Sequence, residues 1–209
     1  MTKACSECKV PAYSEHTDSG LLRYISCIVS TQTGKLSLTL IWNAGKEARK
    51  PNEQKSSKTG KEQHNSENLL AKLKSYLIKN QGDTVYGKFQ LHNLFVHYNS
   101  LNKHSNAIMN IHEPGDECWR KLYGDKFIYE NISNKITPLP YDITLCFSPM
   151  VFRQANLGGF SAIIKNIRDY LLPLSREKNL RCVELYGGVG TIGFHLFDLF
   201  STFVSSDAK

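Results

Sequence analysis

The sequence has no run of about 18 apolar residues, so no helix able to cross a bilayer is expected. Its first residues, Met1-Thr-Lys-Ala-Cys-Ser-Glu-Cys-Lys9, carry no apolar stretch, which argues against a secretory signal. A location inside the cell, cytoplasmic or organellar, is therefore expected, with thiols kept reduced. In that setting the six cysteines, Cys5, Cys8, Cys27, Cys118, Cys146 and Cys182, form no disulfide framework. No internal repeat is visible, and solenoids and propellers are set aside.

What is present is the composition of a folded protein. Of 209 residues, 41% are hydrophobic and 22% charged, enough apolar surface for a real core in one or two domains. The net charge of +7 is compatible with a polyanionic partner, yet many proteins reach that balance without one.

Residues 20–42 read as a β-hairpin. Leu21–Val29 is rich in apolar and β-branched residues, Thr33-Gly34 supplies the turn, and Leu36, Leu38, Leu40 and Trp42 alternate with Ser37, Thr39 and Ile41 at the period of a half-buried strand. Residues 46–61 hold six basic and two acidic side chains and no large apolar one, the composition of a solvated loop and a candidate RNA-contacting arm. Ser66 is placed to cap a helix, with Glu67 in its first turn and Leu69, Leu73 and Leu77 along one face as far as Lys79. Strand-like runs follow at 91–98, 107–111, 127–132 and 142–147. Residues 1–19 are read as an N-terminal segment and 20–147 as one α+β central domain on an antiparallel sheet.

The pattern changes at Ser148-Pro149. Asn156–Leu174 reads as a helix with Phe160, Ile163, Ile164, Ile167 and Leu171 on its apolar face and Pro173 limiting its end. A strand at 181–186, a glycine turn, a helix at 191–200 and a strand at 202–205 then compose a βαβ unit, the opening of a parallel α/β sheet over 148–209. Gly187, Gly188, Gly190 and Gly193 fall where the first strand passes into its helix. Backbone there must come close to a ligand, and side chains would block the approach. Asp207, 17 residues beyond Gly190, lies at the end of the next strand, where a carboxylate accepts from ribose hydroxyls. Glu184, at the end of the first strand, offers an acceptor for an amino group. These residues alone leave two ligands open: a dinucleotide, as in an oxidoreductase, or S-adenosylmethionine. A non-catalytic RNA-binding module, using the basic loop and no cofactor, is the third possibility.

Two ordered motifs narrow the choice. Phe147-Ser-Pro-Met-Val-Phe-Arg-Gln-Ala-Asn156, followed by a helix and then by Val183-Glu-Leu-Tyr-Gly-Gly-Val-Gly190, resembles the RNA (uracil-5-)-methyltransferase family. The likeness is clear over 141–207. It extends more thinly to Leu22-Arg-Tyr24 and Lys103-His-Ser-Asn-Ala-Ile108 in the central domain. The resemblance implies methyl transfer from S-adenosylmethionine to C5 of a uridine in tRNA or rRNA. It places Gln154, Tyr186, Thr191 and Asp207 on the cofactor, beside Glu184, Gly188 and Gly190 of the turn.

The sequence also departs from the family pattern. Gly187 stands where the family usually has cysteine, and Glu184 where it often has aspartate. The family's cysteine nucleophile, which adds to uracil C6 and activates C5, has no counterpart among the six cysteines, so no catalytic residue is assigned. The chain is expected to be truncated before that cysteine and inactive alone. Many family members hold an iron–sulfur cluster through four cysteines. Cys5-x-x-Cys8 is one pair without a second, and unliganded thiols are expected there.

Overall fold

The computed structural model describes residues 1–30, 32–44, 58–80, 89–99, 118–131 and 142–207, with the backbone alone at 58–63 and 157. The expected strand at 107–111, the Lys103–Ile108 likeness and most of the basic loop lie outside these residues. The chain divides into two compact units, Met1–Lys126 and Phe127–Lys209.

In the first unit, α1 (Thr2–Cys8) precedes β1 (Leu22–Ser30) and β2 (Lys35–Trp42), which pair antiparallel as the alternation predicts. Then come α2 (Lys58–Lys79), β3 (Gln90–Tyr98) and β4 (Trp119–Gly124). The sheet order is β1-β2-β3-β4, and it is mixed rather than antiparallel: β2 and β3 run parallel, β3 and β4 antiparallel. The reason is α2. A helix between two strands returns the chain to the end from which it started, so the next strand pairs in the same direction.

One face of this sheet and the two helices close the core. Leu38, Leu40 and Trp42 of β2 and Leu94, Val96 and Tyr98 of β3 meet Leu70 and Leu73 of α2 and Ala4 and Cys8 of α1. Ser66 does not cap α2, which begins eight residues earlier. Lys58–Asn65 has no apolar periodicity, but Lys, Glu and Gln carry adequate helix propensity. Ser66 instead sits buried inside the helix, its hydroxyl accepting the Trp42 indole N–H at 2.9 Å. Glu67 accepts from the Tyr98 hydroxyl at 2.9 Å and the Arg120 guanidinium at 2.7 Å, joining α2 to β3 and β4.

The second unit opens with β5 (Ile128–Asn131) and β6 (Thr144–Phe147), an antiparallel pair. Sequence reading placed these strands with the first region. They sort with the second because Glu130, on β5, is buried and held by two-pronged hydrogen bonds from Arg153, at 2.7 and 2.9 Å. Asn156 caps α3 (Leu157–Glu177) by accepting the Gly159 amide at 2.9 Å. The helix passes Pro173 and ends one turn later. Pro173 lacks the amide that would donate to the Asp169 carbonyl, and beyond it the Ser175 hydroxyl donates to the Leu172 carbonyl at 2.8 Å. Phe160 and Ile164 are buried as expected, whereas Ile163 is exposed.

Next, β7 (Arg181–Leu185) leads through the glycine turn to α4 (Thr191–Phe194), a short 3-10 turn (Phe197–Leu199) and β8 (Thr202–Ser206). β7 and β8 are parallel, in the register Cys182↔Phe203, Val183↔Val204, Glu184↔Ser205. The expected helix over 191–200 is thus one turn long. Gly193 weakens its interior, and the amides of His195 and Leu196 fold back onto the Ile192 and Gly193 carbonyls, ending it.

Candidate functional site

The site grows from the end of β7. After Leu185 the backbone turns sharply: Tyr186, Gly188 and Gly190 have φ of 58°, 59° and 78°. Two hydrogen bonds hold this turn. The Gly187 amide donates to the Ser206 carbonyl at 3.0 Å, tying it to β8, and the Gly190 amide donates to the Gly187 carbonyl at 2.8 Å. At Gly188 the left-handed conformation coincides with open space, since a Cβ built there meets nothing within 4 Å. A left-handed position that favours glycine, and that faces open space, is a place where a ligand can lie against the main chain.

Glu184 stands beneath the turn. Its Oε1 accepts the Gly193 amide at 3.0 Å, and its Oε2 accepts the Ser205 hydroxyl at 2.6 Å. This carboxylate therefore binds β7, α4 and β8 together. Gly187 packs against it so closely that a Cβ would come within 2.4 Å of Ser205 Oγ and 2.7 Å of Glu184 Oε2.

Above the carboxylate is a cleft of about 280 Å³. Glu184 and Ser205 supply its polar wall, Gly188, Val189 and Gly190 its backbone rim, and Phe194 and Phe203 its aromatic wall. Glu184 is the only ionisable side chain among these seven. The outer support is Arg168 of α3, which donates to both Asp198 oxygens at 2.7 and 2.8 Å and to the His195 carbonyl at 2.6 Å.

Of the residues named from the sequence, the cleft brings together Glu184, Gly188 and Gly190. Gln154, Tyr186, Thr191 and Asp207 are not in its lining. Gln154 is half-buried between β6 and α3, flanked by the Arg153–Glu130 pair and the Asn156 cap. Tyr186 projects outward and is 80% exposed. Thr191 opens α4, and its carbonyl lies 2.6 Å from His195 Nδ1. Asp207 follows β8 and is exposed.

Ser205, Phe194 and Phe203 were not legible as site residues. Ser205 emerges only from the strand register, which sets it opposite Glu184. Cys182, the cysteine nearest the carboxylate along β7, has its thiol pushed up from the ordinary range by burial and then by the Glu184 charge, the reverse of an activated nucleophile.

Cys5 and Cys8 lie on α1, where burial pushes both thiols up. Cys8 belongs to the hydrophobic core. Among the described residues, no three His, Cys, Asp or Glu side chains are grouped to hold a metal ion, and no helix is long and apolar enough to cross a membrane.

No protein-family model matches the chain. It is 26% identical over 181 residues to an uncharacterized RNA methyltransferase of Protochlamydia amoebophila (strain UWE25), a match covering 87% of this chain and 37% of that protein. Among solved structures it resembles the Pyrococcus abyssi tRNA (uracil-54, C5)-methyltransferase in complex with S-adenosyl-L-homocysteine. The TM-score is 0.53 and the identity 16%, over 93% of this chain and 34% of the other. The chain thus spans little more than a third of the length of the relatives it matches, and it shares the α/β fold, with its mixed sheet, of a methyltransferase.

Proposed function

We propose that this chain forms the methyl-donor site of an RNA methyltransferase, binding S-adenosylmethionine at the ends of β7 and β8, and that the target is C5 of a uridine in tRNA or rRNA. The observation that carries the proposal is the cleft itself: a bare glycine turn over a carboxylate that is its only charge. A pyrophosphate laid against Gly188 would face the Glu184 charge and only a four-residue helix, too short to offer much dipole. An ammonium would instead be drawn to that charge. The cleft therefore favours S-adenosylmethionine over a dinucleotide, and the likeness to methyltransferases points the same way.

When bound, S-adenosylmethionine supplies an electrophilic methyl group. The residues of the chain bind and orient it. Glu184 accepts from its amino group, Gly188 and Gly190 give backbone access, and Phe194 and Phe203 form an apolar wall beside it. Gln154, Tyr186, Thr191 and Asp207 complete the site in this proposal, with Asp207 accepting from the ribose hydroxyls. Burial and the Glu184 charge raise the Cys182 thiol, the reverse of what activates a nucleophile, and the role proposed for this chain is cofactor binding.

Calorimetric titration of the chain with S-adenosylhomocysteine tests the cofactor claim. Binding that falls at least tenfold in a Gln154→Ala, Asp207→Ala double variant is expected. Preference for NADH would indicate an oxidoreductase, and RNA binding with no response to either cofactor a non-catalytic RNA module. Methylation of uridine in RNA by the purified chain alone would overturn the assignment of cofactor binding without catalysis.

A further inference from the structure

Ser205 and Glu184 stand opposite one another in the parallel register of β7 and β8, and both line the cleft. The serine hydroxyl has one hydrogen to give, and it goes to Glu184 Oε2 at 2.6 Å. The other carboxylate oxygen takes the Gly193 amide. An ionised carboxylate offers about four lone-pair positions, so two remain for a donor entering through the cleft. The Ser205 oxygen, its hydrogen committed, keeps its own lone pairs as acceptors beside them. The two strand partners thus form a double acceptor of fixed geometry, in a cleft whose remaining walls are backbone and two phenyl rings. The pair stays open to solvent, so its attraction to a cation rests on the fixed placing of the acceptors.

The backbone is cut to fit this contact. A Cβ on Gly187 would fall 2.4 Å from Ser205 Oγ and 2.7 Å from Glu184 Oε2, so the hydroxyl–carboxylate contact and a side chain at 187 cannot coexist. The longer acid at 184 and the bare residue at 187 are one arrangement.

We propose that Ser205 is a positioning residue: by holding Glu184 in one rotamer it gives the cleft selectivity for the protonated amine of a ligand's amino-acid end. This rests on the methyl-donor reading of the site and deepens it. The test compares two ligands, S-adenosylhomocysteine and 5′-methylthioadenosine, which keeps the adenosine and thioether and lacks the amino acid. Ser205→Ala weakens S-adenosylhomocysteine roughly tenfold, the scale of one hydrogen bond to a charged group, and leaves methylthioadenosine within about twofold. Ser205→Thr, which keeps the hydroxyl, restores the wild-type ratio. Equal loss for both ligands, or no loss for either, overturns the proposal.

A ligand-free measurement separates this from the cofactor claim. A double-mutant cycle of Ser205→Ala and Glu184→Gln, read by urea denaturation, is expected to show coupling of roughly threefold or more in the folding equilibrium constant. If the wild-type chain binds neither ligand while coupling is present, the methyl-donor reading fails and the positioning of Glu184 stands. Absent coupling overturns the positioning role whatever the chain binds.

Discussion

Glu184 draws its importance from having two oxygens and three elements to hold. Its neighbour in function, Gly188, contributes by lacking a side chain. Gly188→Val would force a β-branched residue to a φ of 59°, at a cost of about 1–2 kcal/mol, and would fill the space beside the turn. Loss of S-adenosylhomocysteine binding by more than tenfold is expected, with unfolding by urea shifted only modestly; unaltered affinity would show that no ligand approaches there. At Arg153 the expected effect falls on stability. Arg153→Met leaves the Glu130 carboxylate buried without its guanidinium, at a cost of about 3 kcal/mol in a denaturation curve, and Glu130→Gln costs less because the guanidinium it leaves unpaired is 19% exposed where the Glu130 side chain is 1% exposed. A smaller loss for Arg153→Met than for Glu130→Gln would contradict that account. Individual site residues were partly legible in the sequence. An acid at the end of an apolar strand before a glycine turn announces itself, whereas Ser205 acquires its role only when β8 is laid in register beside β7, a long-range pairing that no local pattern encodes.

Among the elements, those with strong local signals were legible and those set by their surroundings were not. The β1–β2 hairpin follows from leucines at alternate positions and a glycine turn. The mixed order of the sheet follows from α2, and the start of α2 was hidden because Lys58–Asn65 is polar throughout. α4 looked like three turns and is one, because Gly193 weakens its interior and the His195 and Leu196 amides fold back onto the Ile192 and Gly193 carbonyls. α2 is expected to be the element whose apolar face matters most to the first unit. Leu73→Ala, fully buried between α2 and the sheet, costs about 2–5 kcal/mol, and Ile163→Ser on the exposed side of α3 changes stability by about 0.5 kcal/mol or less. Urea denaturation of the two variants checks the contrast, and equal losses would contradict the packing described. Cys5 and Cys8 add a pH dependence to α1. Their thiols are raised in the folded chain from an ordinary value of 9.0, so folding retains protons that the unfolded chain releases. Their contribution is fully present below pH 9.0 and is lost as pH rises through the folded values. A Cys5→Ser, Cys8→Ala variant should lose less stability between pH 8 and pH 10.5 than the wild type.

For the molecule as a whole, the chain divides into two units, and the site proposed above lies in the second of them. The sheet there has two faces of different character. Glu184 and Ser205 alternate with Val183, Leu185 and Val204, so the polar pair looks into the cleft while the apolar three look away, 68%, 65% and 52% exposed. Parallel strands elsewhere bury both faces. Val183→Thr with Val204→Thr should leave S-adenosylhomocysteine affinity within about twofold in calorimetric titration, because neither residue lines the cleft, and a larger loss would contradict the two-faced arrangement.

The central claim is that the end of β7 and β8 is a methyl-donor site. It is tested most directly by amide chemical shifts recorded on the chain as S-adenosylhomocysteine is added. The account predicts the largest changes at Gly188, Gly190, Gly193 and Ser205, with the first unit unaffected. No changes at saturating ligand, or changes centred outside the glycine turn, would contradict it.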